Sequence, residues 1–136
     1  MKKLHQSTSK DYFIQLFEIP IYDSVVCFLR YNNKKGYEAC IKYCESLGVE
    51  DMHELLGDDY MNCYGFTMKE KTKNRIVSFL FMNNCKEYKD SYINTLSHEN
   101  FHLIEGIAKH HNLEDCEHNE ARAYLTGYVF NYLFNL

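Results

Sequence analysis

The sequence predicts an α+β domain in which a small antiparallel or mixed sheet packs on two C-terminal helices. Two apolar runs, residues 24–31 and 76–82, are rich in β-branched and aromatic residues, as buried strands are. Residues 35–47 and two longer segments after residue 90 repeat apolar side chains at helical spacing. The strands therefore largely precede the two longest helices, an order typical of α+β domains.

Length and composition predict one globular domain over residues 1–136, with residues 1–9 as a flexible tail. Hydrophobic residues make up 46% and charged residues 25%, which excludes a disordered or collagen-like chain. The formal charge of -4 gives no general reason to bind nucleic acid. No apolar run approaches the roughly 20 residues of a membrane span. We therefore expect neither nucleic acid nor a membrane as a partner.

Six cysteines lie among apolar neighbours and form no Cys-x-x-Cys pair. The first ten residues are mostly polar and offer no apolar signal segment. These two features favour reduced, buried thiols and a cytosolic location. The alternative is the disulfide framework of a secreted protein.

Local patterns predict the remaining element boundaries. Residues 12–31 are strand-like but are broken at Pro20, which has no N–H to donate. The helix at 35–47 is followed by Gly48, a typical C-terminal cap, and by an acidic loop or short helix at 51–59. Residues 63–69 and 75–82 then form a predicted hairpin with its turn at 71–74.

The two C-terminal helices are predicted over residues 91–111 and 118–134. The second helix has an apolar stripe that is expected to face the core. The stripe consists of Ala121, Tyr124, Leu125, Tyr128, Val129, Tyr132 and Leu133.

The chemical signal is a His-Glu-x-x-His pattern at residues 98–102, within the first of these helices. Residues four apart lie above one another on a helix, so His98 and His102 can bind one metal ion. The intervening Glu99 points beside the metal, where it can accept a proton from a bound water. The alternative is two histidines that only occupy an exposed helix face or form hydrogen bonds in the core.

A catalytic zinc site of this kind needs a third protein ligand. His110 and His111 point along the same helix and are expected to lie too far away. The candidates just past the turn are Asp115, Glu117, His118 and Glu120. Glu120 is favoured because it opens the last helix beside the apolar stripe, so its carboxylate is expected to face inward. The alternative for Glu120 is a carboxylate stabilised by the helix macrodipole in the first turn.

Residues 98–102, with Asn119-Glu120 downstream, resemble the zincin metallopeptidases that use two histidines and a later glutamate. Residues 119–124 are also similar to small zincin-like proteins of phages and bacteria. The resemblance covers about residues 95–128 and implies a minimal zincin-like domain. It implies Zn²⁺ bound by His98, His102 and Glu120, with Glu99 as general base. It also places residues 75–82 beside the substrate cleft.

The sequence departs from larger zincins in two ways. They carry an Asp four residues after the glutamate ligand, where this chain has Tyr124. They also have a second domain that supplies a cationic histidine to the oxyanion. Tyr124 or Tyr128 is the candidate for that stabilising role here. The alternative for both tyrosines is packing in the core.

These features predict a zinc-dependent hydrolase, and specifically a peptidase acting on a peptide or protein substrate. Glu99 favours the enzyme, because a protein that only binds would not need a general base. The alternative is a non-catalytic zincin-fold module that binds a protein, such as a phage factor acting on a host protein. Small size favours this module.

Overall fold

The computed structural model describes residues 1–56 and 62–136, apart from the side chains of Ile21 and Cys116. The strands are β1 (Lys2–Thr8), β2 (Tyr12–Ile19), β3 (Ser24–Tyr31), β4 (Gly65–Lys71) and β5 (Ile76–Asn83). The α-helices are α1 (Lys34–Ser46), α2 (Met52–Leu56), α3 (Tyr92–His110) and α4 (Asn119–Phe134). The predicted α+β class is confirmed.

The five strands form one mixed sheet in the order β1-β2-β3-β5-β4. β3 and β5 are parallel, and the other neighbouring strands are antiparallel. The resemblance implied that residues 75–82 border the cleft, but β5 lies inside the sheet and β4 forms the edge. Burial explains the order: seven of the eight β5 residues are buried, whereas every β4 residue is half-buried or exposed. An interior strand is covered on both faces and needs the more apolar sequence.

Helices cover both faces of the sheet. Alternation along β3 sends Cys27 and Leu29 into a core with α1 and α2, and Val26 and Phe28 into a second core with α3 and α4. The second core fixes α3 over β3 and β5, and it therefore sets the position of the His-Glu-x-x-His segment.

The prediction that residues 1–9 form a flexible tail is wrong. β1 pairs antiparallel with β2 from Lys2 opposite Glu18 to Thr8 opposite Phe13, with an irregularity between Lys3 and His5. Six of its seven residues are exposed. Backbone hydrogen bonds hold such an edge strand without buried side chains, so the sequence has no apolar alternation to reveal it.

Other boundaries agree with the sequence to within about two residues. Pro20 separates β2 from β3 and begins a short 3₁₀ turn. α1 is capped by Asn33, whose side chain accepts a hydrogen bond from the Gly36 amide at 2.8 Å. Part of the acidic segment at 51–59 forms α2, and residues 57–59 lie outside the described residues. Within the described residues, no helix is long and apolar enough to cross a membrane.

Candidate metal centre

α3 holds the motif on the boundary between core and solvent. Its buried side chains include Leu96, Leu103 and Ile107, which pack in the core against the sheet. His98 and His102 lie on the exposed side of the helix. The apolar face of α3 is therefore separate from the face that carries the two histidines.

The two histidines direct the same ring atom to one point. The Nε2 atoms of His98 and His102 lie 3.1 Å apart, and the rings meet nearly edge to face. Two nitrogens bound to one tetrahedral zinc at about 2.0–2.1 Å are about 3.3 Å apart. The separation in the structure is close to that value, and it is also the length of a hydrogen bond between the two rings. The distance alone therefore fits either a shared metal ion or a direct ring-to-ring hydrogen bond.

Glu99 differs from the histidines because it is buried, with its side chain 8% exposed. Its Oε2 accepts a hydrogen bond from Thr67 Oγ1 on β4 at 2.8 Å. Its Oε1 lies 3.9 Å from His98 Nε2. One carboxylate oxygen is therefore held by the sheet, while the other faces the histidine pair.

A groove of about 490 Å³ opens beside this carboxylate. Its lining residues come from the start of β4, the segment before it, and the first turns of α3. They are Cys63, Tyr64, Gly65, Ser91, Asn94, Thr95, His98 and Glu99. A Cβ at Gly65 would lie 2.9 Å from both the Phe81 carbonyl oxygen and Thr95 Cγ2. Glycine at position 65 is therefore required for β4 to approach α3 this closely.

Among the residues that the structure describes, no third ligand lies at the histidine pair. In the part of the chain that the structure describes, no three His, Cys, Asp or Glu side chains are arranged to hold a metal ion. Glu120 lies in the first turn of α4 and is exposed, so the expectation that it faces inward is wrong. The first turn of a helix stabilises an exposed carboxylate through the macrodipole, without any metal. Glu120 as a zinc ligand stays a prediction.

The other candidates near the turn have different contacts or positions. Asp115 and His118 contact each other through Oδ1 and Nδ1, and Glu117 is exposed. His111 lies at the C-terminal end of α3, with Nε2 3.3 Å from Ser24 Oγ.

Tyr124 and Tyr128 are exposed by 74% and 55%, so their predicted place in the buried stripe of α4 is wrong. The buried side chains of α4 are Leu125, Val129 and Leu133. Both tyrosines line a second groove, together with Met1, Ile19, Pro20, Tyr22, Ala121 and Leu125. This second groove shares no residue with the groove beside Glu99, so the structure does not bring the tyrosines to the motif.

Comparison with protein-family models, curated proteins and solved structures finds no match. The resemblance to zincins therefore depends on residues 95–128 and stays a prediction. The geometry of His98, Glu99 and His102 is the independent support for a metal site.

Two residues near the motif were missed by sequence reasoning. Glu105 Oε2 lies 3.4 Å from His102 Nδ1. A carboxylate facing Nδ1 favours the tautomer that leaves Nε2 available to a metal. Its i, i+3 spacing from His102 is a signal that could have indicated the contact. Thr67 lies 32 residues before Glu99 and carries no comparable signal.

The cysteines near the first core are unsuited to metal binding or catalysis. Cys27, Cys40, Cys44 and Cys85 are buried and unpaired. Burial raises the pKa of Cys40 to about 12, and it also raises the pKa of Cys27 and of Cys44. A thiolate, not a thiol, is the metal ligand and nucleophile. The predicted burial is confirmed for these four residues.

Proposed function

We propose that the protein is a zinc-dependent peptidase in which His98 and His102 bind the metal and Glu99 is the general base. One observation carries the proposal. The two Nε2 atoms lie 3.1 Å apart beside a buried carboxylate that has one oxygen held and one facing them. Two histidines packed only for structure would not require a buried acid at this point.

The residues divide the chemistry among them. A bound zinc ion would act as a Lewis acid and make water nucleophilic near neutral pH. Glu99 would accept the proton of the attacking water at Oε1 and return it to the leaving amine. Glu105 would hold His102 in the tautomer that presents Nε2. Glu120 remains the proposed third ligand, and its carboxylate would have to approach the pair when the metal binds.

A peptide substrate suits the shape of the site. The groove beside Glu99 lies at the start of β4, which is one of the two edge strands of the sheet. An edge strand can pair its backbone N–H and C=O groups with an extended peptide. Pairing along β4 would bring a peptide carbonyl over α3, where His98 and Glu99 lie. We place the activity in the cytosol, since Cys27, Cys40, Cys44 and Cys85 are unpaired thiols.

A binding module of the same fold is the second candidate. It is favoured by one observation, that the described residues bring no third ligand to His98 and His102 and leave Glu120 exposed. In such a module the metal would be absent or structural, and the biological effect would come from a protein partner.

Glu99→Gln separates the two candidates because it keeps the shape of the side chain and removes the basic oxygen. In the enzyme, cleavage of fluorescein-labelled casein with added zinc should fall by about 10²–10⁴, while zinc content stays at the wild-type value. Glu45→Gln, an exposed carboxylate of α1 on the other face of the sheet, is the matched control and should cleave normally. Cleavage that survives Glu99→Gln would contradict the proposed mechanism. A binding module would keep its partner binding in both variants.

A further inference from the structure

Thr67 is the polar contact between the edge strand and the buried acid of the motif. Alternation along β4 turns Thr67 toward α3, opposite Leu80 of β5, which lies in the core under α3. Two residues earlier on the same face, Gly65 allows the close approach of β4 to Thr95. Two residues later, Lys69 Nζ donates a hydrogen bond to the Gly106 carbonyl at 3.4 Å. The strand and the helix are thus joined along three successive inward positions.

The hydroxyl of Thr67 has one proton and two acceptors within reach. Its Oγ1 lies 2.8 Å from Glu99 Oε2 and 3.2 Å from the Glu99 carbonyl oxygen. A hydroxyl donates one hydrogen bond at a time, and bonds to a charged oxygen are shorter and stronger. The carboxylate is therefore the favoured acceptor, and Oε2 is fixed.

Fixing Oε2 determines what the other oxygen can do. A carboxylate is planar, and the Glu99 side chain is attached to the backbone at its other end. Holding Oε2 in place therefore sets the direction of Oε1. Oε1 then stays 3.9 Å from His98 Nε2, on the side of the histidine pair. A general base is effective only when it lies within hydrogen-bond reach of the proton it removes.

We propose that Thr67 is the positioning residue for Glu99, holding Oε2 so that Oε1 is presented to the attacking water. This inference rests on the proposed peptidase function. Thr67 touches no reacting atom in this scheme and acts through the carboxylate alone. Its effect should therefore appear in kcat and leave KM for the substrate unchanged.

The test compares Thr67→Val, which keeps the side-chain shape and removes the hydroxyl, with Thr67→Ser, which keeps the hydroxyl. With zinc and fluorescein-labelled casein, Thr67→Val should lower kcat by about 10- to 100-fold at unchanged KM. Thr67→Ser should stay within about three-fold of wild type, since its hydroxyl can make the same bond. Lys69→Met removes the next contact of β4 with α3 and is the matched control for movement of the strand. A normal kcat in Thr67→Val, or a loss that Thr67→Ser shares, would overturn the positioning role.

A thermodynamic cycle separates failure of this inference from failure of the peptidase proposal. The unfolding midpoints of Thr67→Val, Glu99→Ala and the double variant are measured on the full chain. If the two side chains interact, Thr67→Val should lower the unfolding midpoint of the wild type but should hardly lower that of Glu99→Ala. If the midpoint of the double variant falls by the sum of the two single-variant decreases, the inference is overturned whether or not casein is cleaved. Coupled losses in a wild-type protein that cleaves nothing would overturn the proposed function and reduce Thr67 to a structural partner of Glu99.

Discussion

His98 and Glu99 are adjacent in the chain, yet their side chains are 68% and 8% exposed. Successive residues on an α-helix leave the axis about 100° apart, so one step along α3 crosses from solvent to core. The exposed imidazole can then reach a metal ion, while the carboxylate is held by Thr67 of β4. One helix therefore carries both residues of the proposed site, the metal ligand His98 and the general base Glu99.

The two faces of α3 should respond very differently to truncation. Leu103 is 1% exposed in the core, whereas Phe101 is 56% exposed beside His102. Leu103→Ala should lower the free energy of unfolding by about 2–5 kcal/mol because it leaves a cavity. Phe101→Ala should change it by no more than about 0.5 kcal/mol. Urea unfolding measures both, and equal losses would show that α3 is rotated relative to this structure.

Substitution by alanine should stabilise the protein at two glycines and destabilise it at a third. A Cβ at Gly106 or Gly127 would meet no other atom within 4 Å, and both lie inside helices. Alanine at either position should raise the free energy of unfolding by about 0.5–1 kcal/mol, because glycine loses more backbone entropy on folding. Gly65→Ala should lower it, since its Cβ would lie 2.9 Å from the Phe81 carbonyl oxygen. Thermal unfolding of the three variants checks the contrast, and stabilisation by Gly65→Ala would contradict the close approach of β4 and α3.

Cys40 should make stability depend on pH in the alkaline range. Burial raises its pKa from 9.0 to about 12, so the folded state favours the neutral thiol. This stabilisation is fully present below pH 9 and is lost as the pH rises toward 12, because the unfolded thiol ionises first. The free energy of unfolding should fall by about 1.4 kcal/mol per pH unit for this thiol within that window.

Urea unfolding at pH 8 to 11 tests the alkaline effect. Cys40→Ala should show a shallower decline than wild type. Ile41→Val changes packing at the next residue without changing any ionisable group, so it should keep the wild-type slope. If the free energy of unfolding declines equally with pH in Cys40→Ala and in wild type, Cys40 does not contribute to the loss of stability at alkaline pH.

Glu120 should matter to zinc binding if α4 supplies the third ligand. Glu120→Gln replaces a carboxylate oxygen that zinc binds well with an amide, and zinc affinity should fall by about 10- to 100-fold. Asp115→Asn and Glu117→Gln should leave the affinity nearly unchanged. Competition with a chromophoric chelator measures each variant. If His118→Ala removes the metal and Glu120→Gln does not, the ligand lies two residues earlier than proposed.

Local patterns in the sequence predicted the elements whose side chains are buried on one face. The apolar repeat after residue 90 predicted a helix over residues 91–111, and α3 agrees with it to within one residue at each end. β1 was missed because six of its seven residues are exposed, so it has no apolar alternation. The position of β4 at the edge was also missed, since strand order depends on crossovers that no local pattern records.

Only the part of the candidate site that lies on a single helix could be predicted from the sequence. The spacing of His98, Glu99 and His102 gave the pair and the base. The contact of Thr67 with Glu99 joins residues that are far apart in the chain, so it required the sheet. The rotation of α4 was misjudged because Tyr124 and Tyr128 are apolar enough to extend the stripe, although a tyrosine can expose its hydroxyl and ring edge.

Zinc content of protein purified without added zinc tests the metal centre most directly. Elemental analysis of the wild type should give close to one zinc per chain, and chelation should lower the melting temperature because the metal binds only the folded state. His98→Ala and His102→Ala should lose most of the zinc. His110→Ala, farther along the same helix, should keep it. A wild-type protein that is folded by circular dichroism and still binds no zinc after dialysis against it would contradict the proposal.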